Sequence, residues 1–169
     1  MTVSELMTGK TPSAAYSGWV MADDMVLAIE AAVSQGMPDD QTDVSSYVVV
    51  QGGIKSVGAS LNAEEQTNGY IRAGKSSVKT STQRTFEISG DRLAGDAFQE
   101  YVLSNVVKYG VGQACVVNYV YFNILTGLGE IGMVSVLVNS DGSGETEQNS
   151  GISVTLKKTG AVPVEFKYS

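Results

Sequence analysis

Histidine is absent from this 169-residue chain, and there is a single cysteine, Cys115. Without histidine the usual zinc ligand sets cannot be assembled and an imidazole base is excluded. With one cysteine no disulfide forms within the chain. Basic residues are also scarce: 11 Lys and Arg stand against 18 Asp and Glu, for a formal charge of −7 and a pI near 4.5. Phosphate binding draws its affinity from clustered Lys and Arg, so this balance argues against a nucleic-acid-binding surface. No apolar run approaches the ~20 residues that span a bilayer, and the N-terminus lacks a basic segment followed by an apolar one. The expectation is a soluble chain made in the cytoplasm. Charged residues make up only 17% against 43% hydrophobic, a light charge for a fully solvated monomer, so part of the surface is expected to meet other molecules.

The patterns that resemble chemical motifs resolve into turns. Gly127-Leu128-Gly129-Glu130-Ile131-Gly132 matches GxGxxG, but a dinucleotide site needs a helix after it and MVSVLVN reads as a strand. Gly9-Lys10-Thr11 would need a glycine at position 4, where Ser4 stands. The run Asp141 to Glu147 lacks the twelve-residue, helix-flanked pattern of a calcium loop and reads as a hairpin tip. Asp23–Asp24, Asp39–Asp40 and Glu64–Glu65 are adjacent carboxylates, whereas acid–base work needs side chains converging across a cleft. Cys115 sits in an apolar strand with no base nearby and reads as a small buried hydrophobe. No cofactor, metal or catalytic site is expected.

Residues 1–20 are small and polar, with apolar anchors at Leu6, Tyr16 and Trp19 among others. They read as an arm, flexible or ordered against a neighbour, ahead of a β-domain over 21–169. Trp19 either caps its own barrel or anchors a neighbouring subunit. Residues 21–36 have helix-favouring composition but period-two alternation around 25–33, which favours a strand. Tyr47–Leu61 is β-rich, with Gly52–Gly53 read as a bulge or bend rather than a break. A polar loop over 62–74 follows, then a polar strand over 77–89. One amphipathic helix is predicted over about 92–108: Leu93, Ala97 and Tyr101 share a row beside Phe98, Val102 and Val106. Asp91 is its expected N-cap, Gly110 its left-handed C-terminal residue, and Gln99 lies on the wetter side. Strands follow over 113–123, 132–139, 151–157 and 162–168, separated by Gly-rich or acidic turns. The expected fold is mainly β (α+β): an antiparallel sandwich or barrel flanked by one helix, with an N-terminal arm and a long inter-strand loop.

The run from Glu64 to Asn105, with its segment EEQTNGYI, a polar strand and the helix DAFQEY, resembles the major tail tube proteins of long, non-contractile phage tails. The order of later strands is also similar, so the resemblance spans roughly residues 15–168. It implies homohexameric rings, stacked into a hollow tube that conducts DNA from capsid to host without binding it specifically. The implied partners are a tape-measure protein, a tail terminator and distal tail proteins; the implied place is the virion, after synthesis in the host cytoplasm. The resemblance also implies subunit-bridging roles for the loop (Asn62, Glu64, Glu65, Gln66, Asn68, Tyr70, Arg72) and for the arm (Leu6, Tyr16, Trp19). Glu87, on the polar strand, is the candidate lumen-facing carboxylate. No appended surface domain is expected before Ser169. Two alternatives stay open: the inner tube of a contractile injection system, and a carbohydrate-binding or adhesive β-sandwich using Tyr109, Tyr119 and Tyr121.

Overall fold

A computed structural model describes residues 1–168. Nine strands form in chain order: β1 (Met25–Ile29), β2 (Val48–Val49), β3 (Ile54–Ser60), β4 (Glu64–Tyr70), β5 (Gly74–Ser81), β6 (Thr85–Asp91), β7 (Val116–Asn123), β8 (Leu128–Ser140) and β9 (Gly151–Lys167). Seven of them make one sheet in the order β2-β1-β7-β8-β9-β6-β3, while β4 and β5 pair only with each other. Every pairing is antiparallel.

The edge strands β2 and β3 are neighbours in sequence, and this forces the sheet to curl. Five residue steps from Val49 to Ile54 span at most about 18 Å, whereas six flat strand spacings would put the edges about 29 Å apart. The result is an antiparallel half-barrel with an open seam between β3 and the β1–β2 side. Gly52–Gly53, expected as a bulge or bend within one strand, is the turn that sends the chain from one edge to the other. Gly53 takes a φ of 71°, which costs a residue with a side chain more than it costs glycine.

Two apolar cores lie on opposite faces of the sheet. The inner core joins Leu27, Ile29, Phe86, Ile88, Tyr119, Val134 and Leu156 to Phe98, Val102 and Val107 from two short helices. The second core covers the other face of β1 and β7, where Val26, Ala28, Val120 and Phe122 meet Val3, Met7, Val44 and Tyr47. β1 is thus buried on both faces, which explains an apolar run without a clean wet face and supports the strand reading around 25–29. The rest of 30–36 is not strand.

The start of the predicted arm belongs to the second core. Helix α1 (Val3–Met7) carries a capping box, in which the Glu5 N–H donates to Thr2 Oγ1 at 3.3 Å and the Thr2 N–H to Glu5 Oε2 at 2.8 Å. Val3 and Met7 are buried beneath it.

The predicted helix over 92–108 divides into α2 (Ala97–Val102) and α3 (Asn105–Lys108). Asp91 still pairs with Gly151 in the sheet, so the N-cap is Asp96, whose carboxylate accepts from the Gln99 N–H at 3.2 Å. At the break, Ser104 takes an extended conformation and its hydroxyl donates to the Tyr101 carbonyl at 2.7 Å. Gly110 is not left-handed; it is needed because a Cβ there would strike the Val106 carbonyl. Gln99, expected on the wet side, is fully buried.

The predicted loop over 62–74 is mostly strand and turn, and the predicted strand over 77–89 is two strands in different sheets, broken at residues 82–84. The strands expected at 151–157 and 162–168 are one strand, β9, with an irregularity opposite Ile131–Met133 near Gly160. β8 begins at Leu128, so the GxGxxG run opens a strand. Cys115 is buried, its thiol 3.4 Å from the Val107 carbonyl. No helix among the described residues is long and apolar enough to cross a membrane.

Candidate assembly surface

The β4–β5 hairpin stands off the barrel. Seven residues of strand rise about 24 Å, and along both strands every side chain is exposed except the half-buried Asn68. A lone two-stranded hairpin is marginal in water, because neither face is covered. Here the root is pinned where the blade is not. The Asn62 Nδ2 donates to Thr85 Oγ1 at 2.7 Å, and the Gln83 N–H donates to the Leu61 carbonyl at 2.8 Å. The Lys158 N–H donates to the Arg84 carbonyl at 2.8 Å.

Arg84 completes the root from inside the barrel. Its Nε lies 2.7 Å from Glu130 Oε1, and its guanidinium sits 5.0 Å from the ring centres of both Phe86 and Tyr121. A planar, weakly hydrated cation suits this place between rings and a carboxylate. Tyr119 lies in the same interior, and burial pushes its phenol far above the ordinary range.

The tip is apolar and then cationic. Tyr70 and Ile71 are exposed, Ile71 by 87%, and Arg72 takes a φ of 66° in the turn. From Gln66 to Lys79 there are three cations (Arg72, Lys75, Lys79) and no acid, so the rest of the chain is three charges more negative than the total of −7. Glu64 and Glu65 lie near the root, paired with Ser81 and Lys79. Of the residues proposed from the loop, Asn62 works within its own chain; Glu64, Glu65, Gln66, Tyr70 and Arg72 project on the hairpin.

A second exposed apolar patch lies in the arm. Trp19 is 91% exposed, beside Val20 and Met21, and Tyr16 donates its hydroxyl to the Trp19 carbonyl at 3.0 Å. The arm is tethered to the barrel where the Ser13 N–H donates to the Leu125 carbonyl at 3.0 Å. Leu6 packs against the second core instead. Isolated exposed apolar side chains are ordinary; here three adjacent ones, Trp19, Val20 and Met21, are exposed together.

Glu87 is exposed on β6, between Gly58 of β3 and Thr155 of β9. The register puts Ser56, Ser60, Ser89, Ser153 and Ser135 on the same face, together with the exposed Lys157 and Leu137, a wall rich in hydroxyls. At its lower border Lys55 pairs with Asp91 at 3.1 Å; that bond and a second from Asn149 hold the Asp91 carboxyl below its usual range. The aromatics of the adhesive alternative do not converge: Tyr119 is buried, Tyr121 packs against the inner core, and Tyr109 alone is exposed. Among the described residues no cluster of three or more Cys, Asp or Glu is placed to hold a metal.

The contact residues expected from the sequence do not include Ile71, Val78, Lys75, Lys79, Gln83 or Arg84. Two polar runs flanking YIRAG, with Gly74 closing a short turn, carry the hairpin signal that would have found the first four. Arg84 had no local signal, since its partner Glu130 is distant in sequence.

No family model and no curated protein matches the sequence. Among solved structures, the fold is similar to a chain from the tail of an empty gene transfer agent particle, determined by helical refinement with C6 symmetry. That match has a TM-score of 0.53 at 12% identity and covers 89% of this chain and 100% of that one. A chain from the virion of a native gene transfer agent particle matches with a TM-score of 0.50 at 12% identity, over the same shares of the two chains. The half-barrel with its projecting hairpin thus shares its fold with a chain built into a gene transfer agent tail.

Proposed function

We propose that this chain is the structural subunit of a phage-type tail tube, in which homohexameric rings stack into a hollow conduit for DNA. The observation that carries the reading is the β4–β5 hairpin, rooted by part-buried polar contacts yet, among the described residues, without any partner strand for its blade. A hairpin so exposed is stable and useful when a neighbouring subunit covers it. The similar chain in a C6-symmetric tail supplies the six-fold geometry. Contacts between unlike surfaces close rings by rotation and build filaments by repetition.

In this assembly the hairpin and the arm around Tyr16 and Trp19 bridge subunits. The hydroxyl-rich face bearing Glu87 lines the lumen, where a wall without clustered cations, on a chain of net charge −7, lets DNA pass without sticking. A tape-measure protein and terminal tail proteins are the remaining partners, and the finished protein resides in the virion. The role is structural, with no catalysis.

Electron microscopy of concentrated purified protein tests the proposal: uniform hollow tubes with six-fold rings are expected. A chain that stays monomeric across concentration, salt and pH overturns it. A sheath around the tubes in the source particle would assign the chain to a contractile system instead.

A further inference from the structure

The open seam of the half-barrel holds a cavity of about 530 Å³. Leu27, Val50, Ile54, Val57 and Tyr121 form its apolar floor, Gln51 and Ser56 add polar groups, and the exposed Asp23 is among its lining residues. The other charged lining residue, Lys55, is already paired with Asp91. Asp23 has no ion-pair partner among the described residues. One wall of the groove is β3, which pairs with β6 and leaves its other edge free. A free edge and an apolar floor in one groove form a receptor for a protein segment.

We infer that this groove receives the hairpin tip of a second copy of the chain, with Ile71 on the apolar floor and Arg72 facing Asp23. The inference rests on the reading that the chain assembles with itself. Three observations select this occupant. Ile71 is 87% exposed, so the tip does not sit in its own groove. The tip presents an apolar pair followed at once by a cation, matching an apolar floor beside an unpaired carboxylate. The segment 66–79 carries three cations and no acid, while the body that would receive it is strongly acidic, so the long-range field favours this orientation. Donor and acceptor are different surfaces, so each subunit both gives and receives and the contact repeats indefinitely.

Disulfide trapping reads the contact directly. The double variant Ile71→Cys/Val57→Cys, oxidised mildly under assembly conditions, is expected to give a ladder of covalent multimers that collapses on reduction. Ile71→Cys with Ser153→Cys, on the outer sheet face, is expected to give none; native Cys115 is buried. Tubes without a ladder from the first pair overturn the groove assignment and leave the tail-tube reading standing, whereas absence of tubes from the unaltered chain sinks that reading itself. Should the double-cysteine chain fail to assemble, charge exchange decides: Arg72→Glu abolishes assembly and adding Asp23→Arg restores it. Failure of that restoration refutes the pairing.

Discussion

Gln99 offers the sharpest test of how the fold is held, because a buried amide uses both ends of its side chain. Its Nε2 donates to the Gly52 carbonyl at 2.7 Å and to the Asp91 carbonyl at 3.0 Å; its Oε1 accepts from the Leu93 N–H at 2.9 Å and from Arg92 at 3.2 Å. It therefore ties α2 to the turn joining the sheet edges and to the end of β6. Gln99→Leu keeps the volume but strands three backbone groups. Each unsatisfied buried group costs about 1–3 kcal/mol. Leu93 is half exposed, so water rescues part of its share, and we expect a loss of about 3 kcal/mol. For a chain of this size each kcal/mol lowers Tm by about 2–4 °C, so the melting point falls by about 6–12 °C. Gln99→Glu keeps both accepting bonds but turns a charged oxygen on two carbonyls. Its buried carboxyl is pushed above the unfolded value, so the penalty is absent below that value and grows as pH rises. Denaturant unfolding at monomeric concentration, from pH 3 to 8, measures both variants. A Gln99→Leu chain within 0.5 kcal/mol of the parent, or a Gln99→Glu deficit that does not shrink in acid, would refute the reasoning.

Replacing residues 64–81 by a short glycine link is expected to leave the barrel folded and to abolish tube formation; circular dichroism and electron microscopy read the two effects separately, and tubes from the truncated chain would disprove the hairpin's role. Trp19 fluorescence is expected to be red-shifted in the monomer and to move to the blue on assembly, whereas an unchanged spectrum in tubes would exclude the arm from the interface. Tyr47 is 2% exposed, and burial, reinforced by Glu30, pushes its phenol up to about 12. The folded value is above the unfolded value, so this group's contribution is complete below pH ~10 and is lost as pH rises towards 12. Absorbance at phenolate wavelengths is then expected to show Tyr47 and Tyr119 ionising together with unfolding, and free titration in the folded state would contradict their burial.

The sequence revealed the sheet more readily than the helices. Strands such as GISVTLK alternate, and their inner positions, Ile152, Val154 and Leu156, are buried as the period predicts. The helical stripe holds at Phe98 and Val102 but fails past the break at Ser104, where Val107 is buried and the expected Val106 is exposed, because a single helical period cannot register a local change of direction. Gln99 was misplaced because its burial depends on the carbonyls of Gly52 and Asp91, which only the folded chain brings together. The first arm of the hairpin, 64–70, reads as loop and the second only as the start of a longer polar strand, because neither run has an apolar face, the signature by which a strand announces itself. The same lack of an apolar face, on a strand that is nevertheless formed, is what points to a contact between molecules.

The order of pairing along the chain also sets an order in time. β1 meets β2 within some twenty residues, but its other edge pairs with β7, Ile29 opposite Tyr119, so that edge of MVLAI stays open until some ninety further residues have been made. At typical ribosomal rates that is a wait of about 5–20 s. The β4–β5 hairpin is made in between, but its root bonds reach Glu130 and Lys158, so it too is secured only late. The seam between β1 and β3 exists only after β9 joins β6 to β8. On a nascent chain the projecting element and the surface able to receive it therefore both wait on the last third of synthesis, and polymerisation with them.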